Sequence, residues 1–217
     1  MPSSPALKRL RPPARSTYRH GDLRRALLEA GVELARSGGP DAVVLREATR
    51  RAGVVPNAAY RHFSGREDLL EAVRAAALAA LAVAMEKELA RLRRGPDEAE
   101  FARAGVRAVG AAYLKFALAQ TGLFRTAFSV PASPEDGDPA KVGSSGLNPF
   151  QLLSAALDSM VQAGALPRER RPGAEYLAWS AVHGFAVLLI EGPLKGTPSR
   201  QATALGQRLL DMVLKGL

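Results

Sequence analysis

The chain has 217 residues, 47% of them hydrophobic, a formal net charge of +9 and no cysteine. That length suits one sizeable globular unit or a small domain joined to a larger one, and the apolar share is enough to form a buried core. Without cysteine there is no disulfide framework, no thiolate metal site and no cysteine nucleophile, which fits a reducing cytoplasm. No apolar run follows the basic start, so no signal peptide is expected. The most apolar stretch, Ala181 to Ile190, includes His183 and Gly184 and is far shorter than the ~20 residues a membrane span needs. A soluble, cytoplasmic protein is therefore expected. Alanine is abundant while β-branched and aromatic residues are modest, so the expected class is all-α.

The charge is unevenly spread. Residues 1–66 hold 13 Lys and Arg against 5 Asp and Glu, a net +8, whereas residues 67–217 hold 17 against 16, a net +1. A basic segment on a near-neutral body is the footprint of a polyanion-binding module, and it equally suits a solubility feature or a membrane-surface patch.

Residues 1–15 combine four prolines with four basic residues and read as a flexible basic arm, extending to about residue 17. In this arm Arg11, Arg15 and the nearby Arg19 are candidates for phosphate or minor-groove contacts. Helical spacing of Leu23, Ala26, Leu27, Ala30 and Leu34 predicts a helix from Tyr18 to Arg36, stopped by Ser37-Gly-Gly-Pro40. Two short helices follow, Leu45 to Ala52 and Pro56 to His62, broken by Gly53. Ser64 and Glu67 have the spacing of a capping box opening a long helix to about Arg94. Gly95-Pro96 ends it, and Asp97 to Ala119 forms the next helix. A short helical turn is expected at Leu123 to Phe128, then a loop over 129–147 rich in Pro, Gly and Ser. Phe150 to Gly164, Gly173 to Ile190 and Ser199 to Lys215 complete the helices.

The segment Leu45 to Leu70 is the informative one. A helix-turn-helix needs a short helix, a tight turn and a second helix packed across the first. Gly53 supplies a turn where a left-handed backbone costs little. Ala48, Ala52, Ala58 and Ala59 allow close approach, and Val54 and Phe63 can seal the underside. The outer face then offers Asn57, Tyr60, Arg61 and His62, all hydrogen-bonding groups suited to base edges and phosphates. The pattern alone is shared with an ordinary helical hairpin. Surrounding it, Arg46, Arg50, Arg51, Arg61 and Arg66 favour the nucleic-acid reading.

The run AGVVPNAAYRHFSGREDLLEAV, Ala52 to Val73, resembles the signature of TetR-type regulators, and YRHGDLRRALLEAGVELARSGG, Tyr18 to Gly39, resembles the first helix of the same domain. The resemblance implies a three-helix DNA-binding domain over residues 18–66. It places Tyr60 and His62 at the DNA backbone, Arg66 near a phosphate at the start of the fourth helix, and Pro56, Asn57, Ala58 and Arg61 facing the groove. Arg46 is a further candidate on the preceding helix. The chain departs from the pattern at Val44 and Val55, which stand where hydroxyl residues often open the two short helices. Each change removes an N-cap worth about 1 kcal/mol. Ala48 and Ala59 replace larger aliphatics, and Thr49 stands where Ala is common.

Two later runs, AYLKFALAQTGLFRTAFS (Ala112 to Ser129) and AWSAVHGFAVLLIEG (Ala178 to Gly192), resemble the C-terminal domain of a TetR subgroup marked by Trp179, His183 and Gly184. This implies an effector-binding and dimerisation domain over residues 67–217, with two late helices pairing with their mates. Tyr113, Phe116, Phe124, Phe128, Trp179 and His183 are candidates to line a pocket for a small, largely apolar effector; alternatively they fill the core. Only His20, His62 and His183 are present, widely separated, so no metal site and no cofactor is expected. There is no Gly-rich phosphate loop, since Gly143-Ser-Ser-Gly146 lacks the following Lys. There is also no G-x-S-x-G or HExxH, and Glu86, Glu88, Glu98 and Glu100 read as solvated, so no enzyme is expected. The expected function is a homodimeric, ligand-responsive repressor on a palindromic double-stranded DNA operator; the rival is a helical adaptor that binds only protein.

Overall fold

The computed structural model describes residues 20–131 and 137–217, apart from the side chains of residues 20–22. Arg11, Arg15 and Arg19, the arm they belong to and the expected start of the first helix at Tyr18 lie outside the described residues. Among those described, every regular element is helical, as the alanine-rich composition implies.

The helix α1 spans His20–Gly38. It runs two residues past Arg36 because the Ser37 hydroxyl donates back to the Glu33 and Leu34 carbonyls at 3.0 and 3.1 Å. Next come α2 (Leu45–Ala52) and α3 (Pro56–Ala59). The latter is three residues shorter than the spacing suggests. The His62 and Phe63 amides both turn onto the Ala59 carbonyl at 2.9 and 3.0 Å, which reverses the chain and drives Phe63 into the core.

The long α4 covers Arg66–Leu89 and α5 covers Glu98–Ala119. The capping box expected from Ser64 and Glu67 is not formed. Gly65 takes the N-cap position, which makes Asp68 the third helical residue, and Asp68 Oδ2 accepts from the Ser64 amide at 2.8 Å. The helix also stops short of Arg94, whose guanidinium is drawn across Gly95-Pro96 to Glu98 at 2.8 and 3.0 Å. Asp97 caps α5 by accepting from the Glu100 amide.

Four helices follow: α6 (Thr121–Ala127), α7 (Pro149–Gln162), α8 (Ala174–Ile190) and α9 (Ser199–Gly216). Asn148 and Gln151 form a reciprocal capping box at the start of α7, with Pro149 at the first helical position. Among its described residues, the loop before it holds a single 3-10 turn at Pro139–Lys141.

One continuous apolar core runs from Leu23 in α1 to Leu217 after α9. The helix α4 ties its two parts together. Its first turns bury Leu69 and Val73 so tightly against α1 that a Cβ on Gly31 would lie 2.8 Å from Val73 and 3.3 Å from Leu69. Its later turns bury Leu81, Ala82 and Met85 among the C-terminal helices.

Candidate functional site

Two places gather chemistry-bearing side chains: the outer face of α2 and α3, and a cavity among the C-terminal helices.

On the first, Gly53 adopts φ 68°, and its amide reaches back to the Arg50 and Thr49 carbonyls. A residue with a Cβ would be strained there. The Val54 amide also bonds the Thr49 carbonyl at 3.1 Å, so α2 and α3 meet through a closed turn. Thr49 itself is buried, its hydroxyl donating to the Arg46 carbonyl at 2.7 Å. Leu45, Ala48, Ala59 and Phe63 seal the underside, while Val54 is only partly buried. Arg24 lies 5.0 Å from the Phe63 ring centroid.

The outer side is open. Arg46, Pro56, Asn57, Tyr60 and Arg61 are exposed, and Ala58 and His62 are half-buried. Neither α2 nor α3 has a side-chain N-cap: Val44 and Val55 occupy those positions in extended conformation, both exposed. The basic residues differ in how they are held. Arg50 and Arg51 both bond Glu47, and these hydrogen bonds, Arg50's first, bring the Glu47 carboxyl down to about 2. Among the described residues Arg46 and Arg61 form no ion pair. Arg66 is turned inward, donating to the Pro40 carbonyl at 3.0 Å and to Glu67 at 2.7 Å. Its side chain locks the start of α4 to the turn after α1.

The cavity encloses about 400 Å³. Its walls are Leu78 and Met85 of α4, Val106, Val109, Gly110 and Tyr113 of α5, Ala127 and Phe128 at the end of α6, Leu153 of α7, Trp179 and His183 of α8, and Leu210 and Val213 of α9. A polar chain crosses it. Trp179 Nε1–H donates to the Tyr113 oxygen at 3.3 Å, and the Tyr113 hydroxyl lies 2.6 Å from His183 Nδ1. Burial pushes the Tyr113 phenol above its ordinary range and holds His183 below its own. Tyr113 is therefore protonated and His183 neutral, and the imidazole tautomer sets which of the two donates. Ring packing fixes them: Phe128 lies 4.9 Å from His183 and 5.0 Å from Phe124.

Of the six side chains expected to line a pocket, Tyr113, Phe128, Trp179 and His183 do so. Phe116 does not, being packed into the core, and Phe124 faces a second, smaller cavity of about 290 Å³ shared with Pro40, Arg125 and Glu191. Helical spacing marks both as apolar but does not say which side of a buried helix meets empty space.

Three polar residues on the main cavity wall escape sequence reasoning: Arg74, Lys141 and Asn148, each at least nine-tenths buried. An arginine on an alanine-rich helix reads as solvent-facing. Glu86 is a further correction. It is not left to solvent alone: the Gly143-Ser-Ser-Gly146 loop folds against it, with the Ser144 and Ser145 amides donating at 2.9 and 2.8 Å and the Ser145 hydroxyl at 2.6 Å. Burial raises the Glu86 carboxyl, but these bonds more than offset it and the pKa lies below its ordinary value. Among the described residues no group of His, Asp and Glu has the arrangement of a metal site. No helix there is long and apolar enough to cross a membrane.

Comparison with known proteins matches residues 27–73 to bacterial regulatory proteins of the tetR family, and residues 106–213 to a tetracyclin repressor-like C-terminal domain. Among curated proteins none matches. Among solved structures, a protein of unknown function from Rhodococcus sp. RHA1 is 26% identical with a TM-score of 0.72, covering 94% of this chain and 99% of its own. A TetR-family transcriptional regulator from Pectobacterium atrosepticum is 18% identical with a TM-score of 0.63, covering 94% and 97%. The transcriptional regulator FadR from Bacillus subtilis, in complex with stearoyl-CoA, is 13% identical with a TM-score of 0.61, covering 89% and 98%. With an open helix-turn-helix face at one end, a helical C-terminal body at the other and a family match to each, the chain belongs to the TetR family of DNA-binding transcriptional regulators.

Proposed function

We propose that the protein is a homodimeric, ligand-responsive repressor acting on a palindromic operator. One observation carries this reading: α6 touches both functional regions. Its last residue, Ala127, and the adjoining Phe128 line the cavity. Near its other end, Gly122 lies so close to α1 that a Cβ there would sit 2.2 Å from the Ala35 carbonyl and 2.5 Å from that of Arg36. Arg36 also donates to Gln120 at 2.9 Å. A ligand that moves Phe128 shifts what α1 rests on. The two arrangements then differ in DNA affinity, and ligand and operator oppose each other through that difference.

In this reading residues 18–66 bind DNA, residues 1–17 form a basic arm and residues 67–217 bind effector and partner. Tyr60 and His62 hold the DNA backbone, while Arg46, Pro56, Asn57, Ala58 and Arg61 face the groove. Arg66 reaches a phosphate by releasing the Pro40 carbonyl. A second copy covers the outer side of α8, where Tyr176, Leu177, Ser180, Gly184, Val187 and Leu188 form one exposed stripe, together with the exposed Ala155 and Ser159 of α7. Such a face is self-complementary about a two-fold axis and suits paired half-sites. The effector is small and largely apolar, in keeping with the cavity wall; a protein of the same fold holds stearoyl-CoA.

The test is to select genomic DNA fragments with the purified protein and measure retardation on those recovered. The expected result is a dimer on near-palindromic sites, with affinity falling steeply as salt rises. Binding by a monomer to sites without symmetry overturns the reading. Replacing Leu177 and Leu188 by Glu should give a monomer in sedimentation.

A further inference from the structure

We propose that the cavity takes an organic acid, a carboxylate on an apolar body, with the carboxylate seated on Arg74 beside Lys141. This rests on reading the cavity as the effector site and adds the ligand's chemical class.

Arg74 is 5% exposed and lines the cavity from α4, flanked by the buried Val73 and Ala75. A buried guanidinium is costly unless its N–H groups find acceptors. Nη1 bonds Glu71. Nη2 donates to the Val130 carbonyl at 3.0 Å. The Nε–H is buried and has no acceptor. Lys141, 7% exposed, also lines the cavity, its Nζ 3.7 Å from Glu71 Oε1 and 3.6 Å from Asp138 Oδ2. Glu71 thus gathers two buried cations at one corner of an otherwise largely apolar chamber, while its own side chain remains 51% exposed.

An uncharged apolar ligand leaves the Arg74 Nε–H as it is. A carboxylate completes it: one oxygen accepts from Nε and the other from Nη2, the side-on fork that guanidinium and carboxylate favour. The Tyr113 hydroxyl is already engaged by both His183 and Trp179. Occupancy also has a mechanical result. The second oxygen shares Nη2, which has two N–H groups, with the Val130 carbonyl, and Val130 lies three residues beyond the end of α6. The head group is therefore tied through Arg74 to the chain just after the helix that meets α1.

Trp179 is the sole tryptophan and lies on the cavity wall, so its emission reports occupancy. The full-length protein is titrated with decanoate and with 1-decanol. Decanoate should give a saturable change at about tenfold lower concentration than the alcohol, the value of one charge-assisted hydrogen bond. Arg74→Lys, which keeps the charge and loses the fork, should remove most of that preference, with folding checked by circular dichroism. If Arg74→Lys does not fold, Lys141→Met should still reduce the preference. Equal affinity for acid and alcohol, an unchanged preference in a folded Arg74→Lys protein, or no saturable response to either probe overturns the proposal. Decanoate that binds with the expected preference yet leaves operator retardation unchanged overturns the ligand-responsive reading instead.

Discussion

Two tyrosines show how differently the ends of this molecule use the same side chain. Tyr60, after α3, is 60% exposed, while Tyr113, in α5, is 3% exposed and joined to both Trp179 and His183. The surroundings follow suit. Asn57, Arg46 and Arg61 are likewise open to solvent, whereas Phe124, Phe128 and His183 pack against Tyr113 and its phenol is held protonated. A DNA-reading face must keep its donors available, because hydrogen bonds already made within the protein would have to be broken at the operator. A cavity for an apolar molecule must do the reverse, since an unpaired polar group facing hydrocarbon is costly. Arg74 is the place where the C-terminal body departs from its own rule, and it is there that the ligand's polar end is assigned.

The strongest way to break the comparison is to damage the joint between the two regions. Gly122→Ala puts a Cβ against two backbone carbonyls that cannot rotate away, and should cost about 3 kcal/mol in chemical denaturation. A loss below about 0.5 kcal/mol, within the range of ordinary surface changes, would show that α6 and α1 are not in firm contact. Next in size, Tyr60→Ala combined with His62→Ala should weaken retardation by about 2 kcal/mol, two ordinary hydrogen bonds. The loss should be equal on operator and unrelated DNA, with unfolding little changed; a loss confined to the operator would make these residues base readers.

Smaller again is the contrast between the tyrosines themselves. Tyr113→Phe strips the partner from His183 Nδ1 and Trp179 Nε1, and should destabilise the fold by about 1–2 kcal/mol. Tyr60→Phe should fall within about 0.5 kcal/mol of the parent, and equal effects of the two changes in denaturant melts would erase the distinction. The smallest effect concerns pH. Burial lowers the pKa of His183 in the folded chain. As pH falls through about 6.5 the unfolded chain binds a proton that the folded one does not. The His183 contribution is therefore fully present above that pH and is lost on the way down to the folded pKa. The melting temperature should fall between pH 7.5 and 5.5, and His183→Asn should flatten that part of the profile.

The legible parts of the chain were those where one physical signal acts alone. Gly53 in a left-handed turn and the Gly and Pro breaks after Gly38 and Arg94 punctuate the helices in any context. The apolar repeat of α1, α4 and α5 follows from burial on one face. Legibility failed where a single residue shifts a frame. Gly65 moved the capping role from Glu67 to Asp68, and two amides converging on one carbonyl shortened α3. It failed again where function depends on which buried side chains meet empty space. Phe116 and Phe128 have the same apolar character, and only packing separates core from cavity wall. Arg74 and Glu86 were illegible because their partners, Val130 and the Ser144-Ser145 turn, lie 56 to 59 residues away along the chain.

The bare backbone of Gly122 also sets the gearing of the molecule. With 19 residues, α1 is a rod about 28 Å long, and Ala35 and Arg36 lie close to one end of it. A tilt of about 4° at that end swings the other by about 2 Å, the difference between a formed and a broken hydrogen bond to a phosphate. In the ligand-responsive reading proposed above, a displacement at Phe128 too small to reshape the cavity is amplified by the length of the rod, and replacing Gly122 by any larger residue alters where the fulcrum sits.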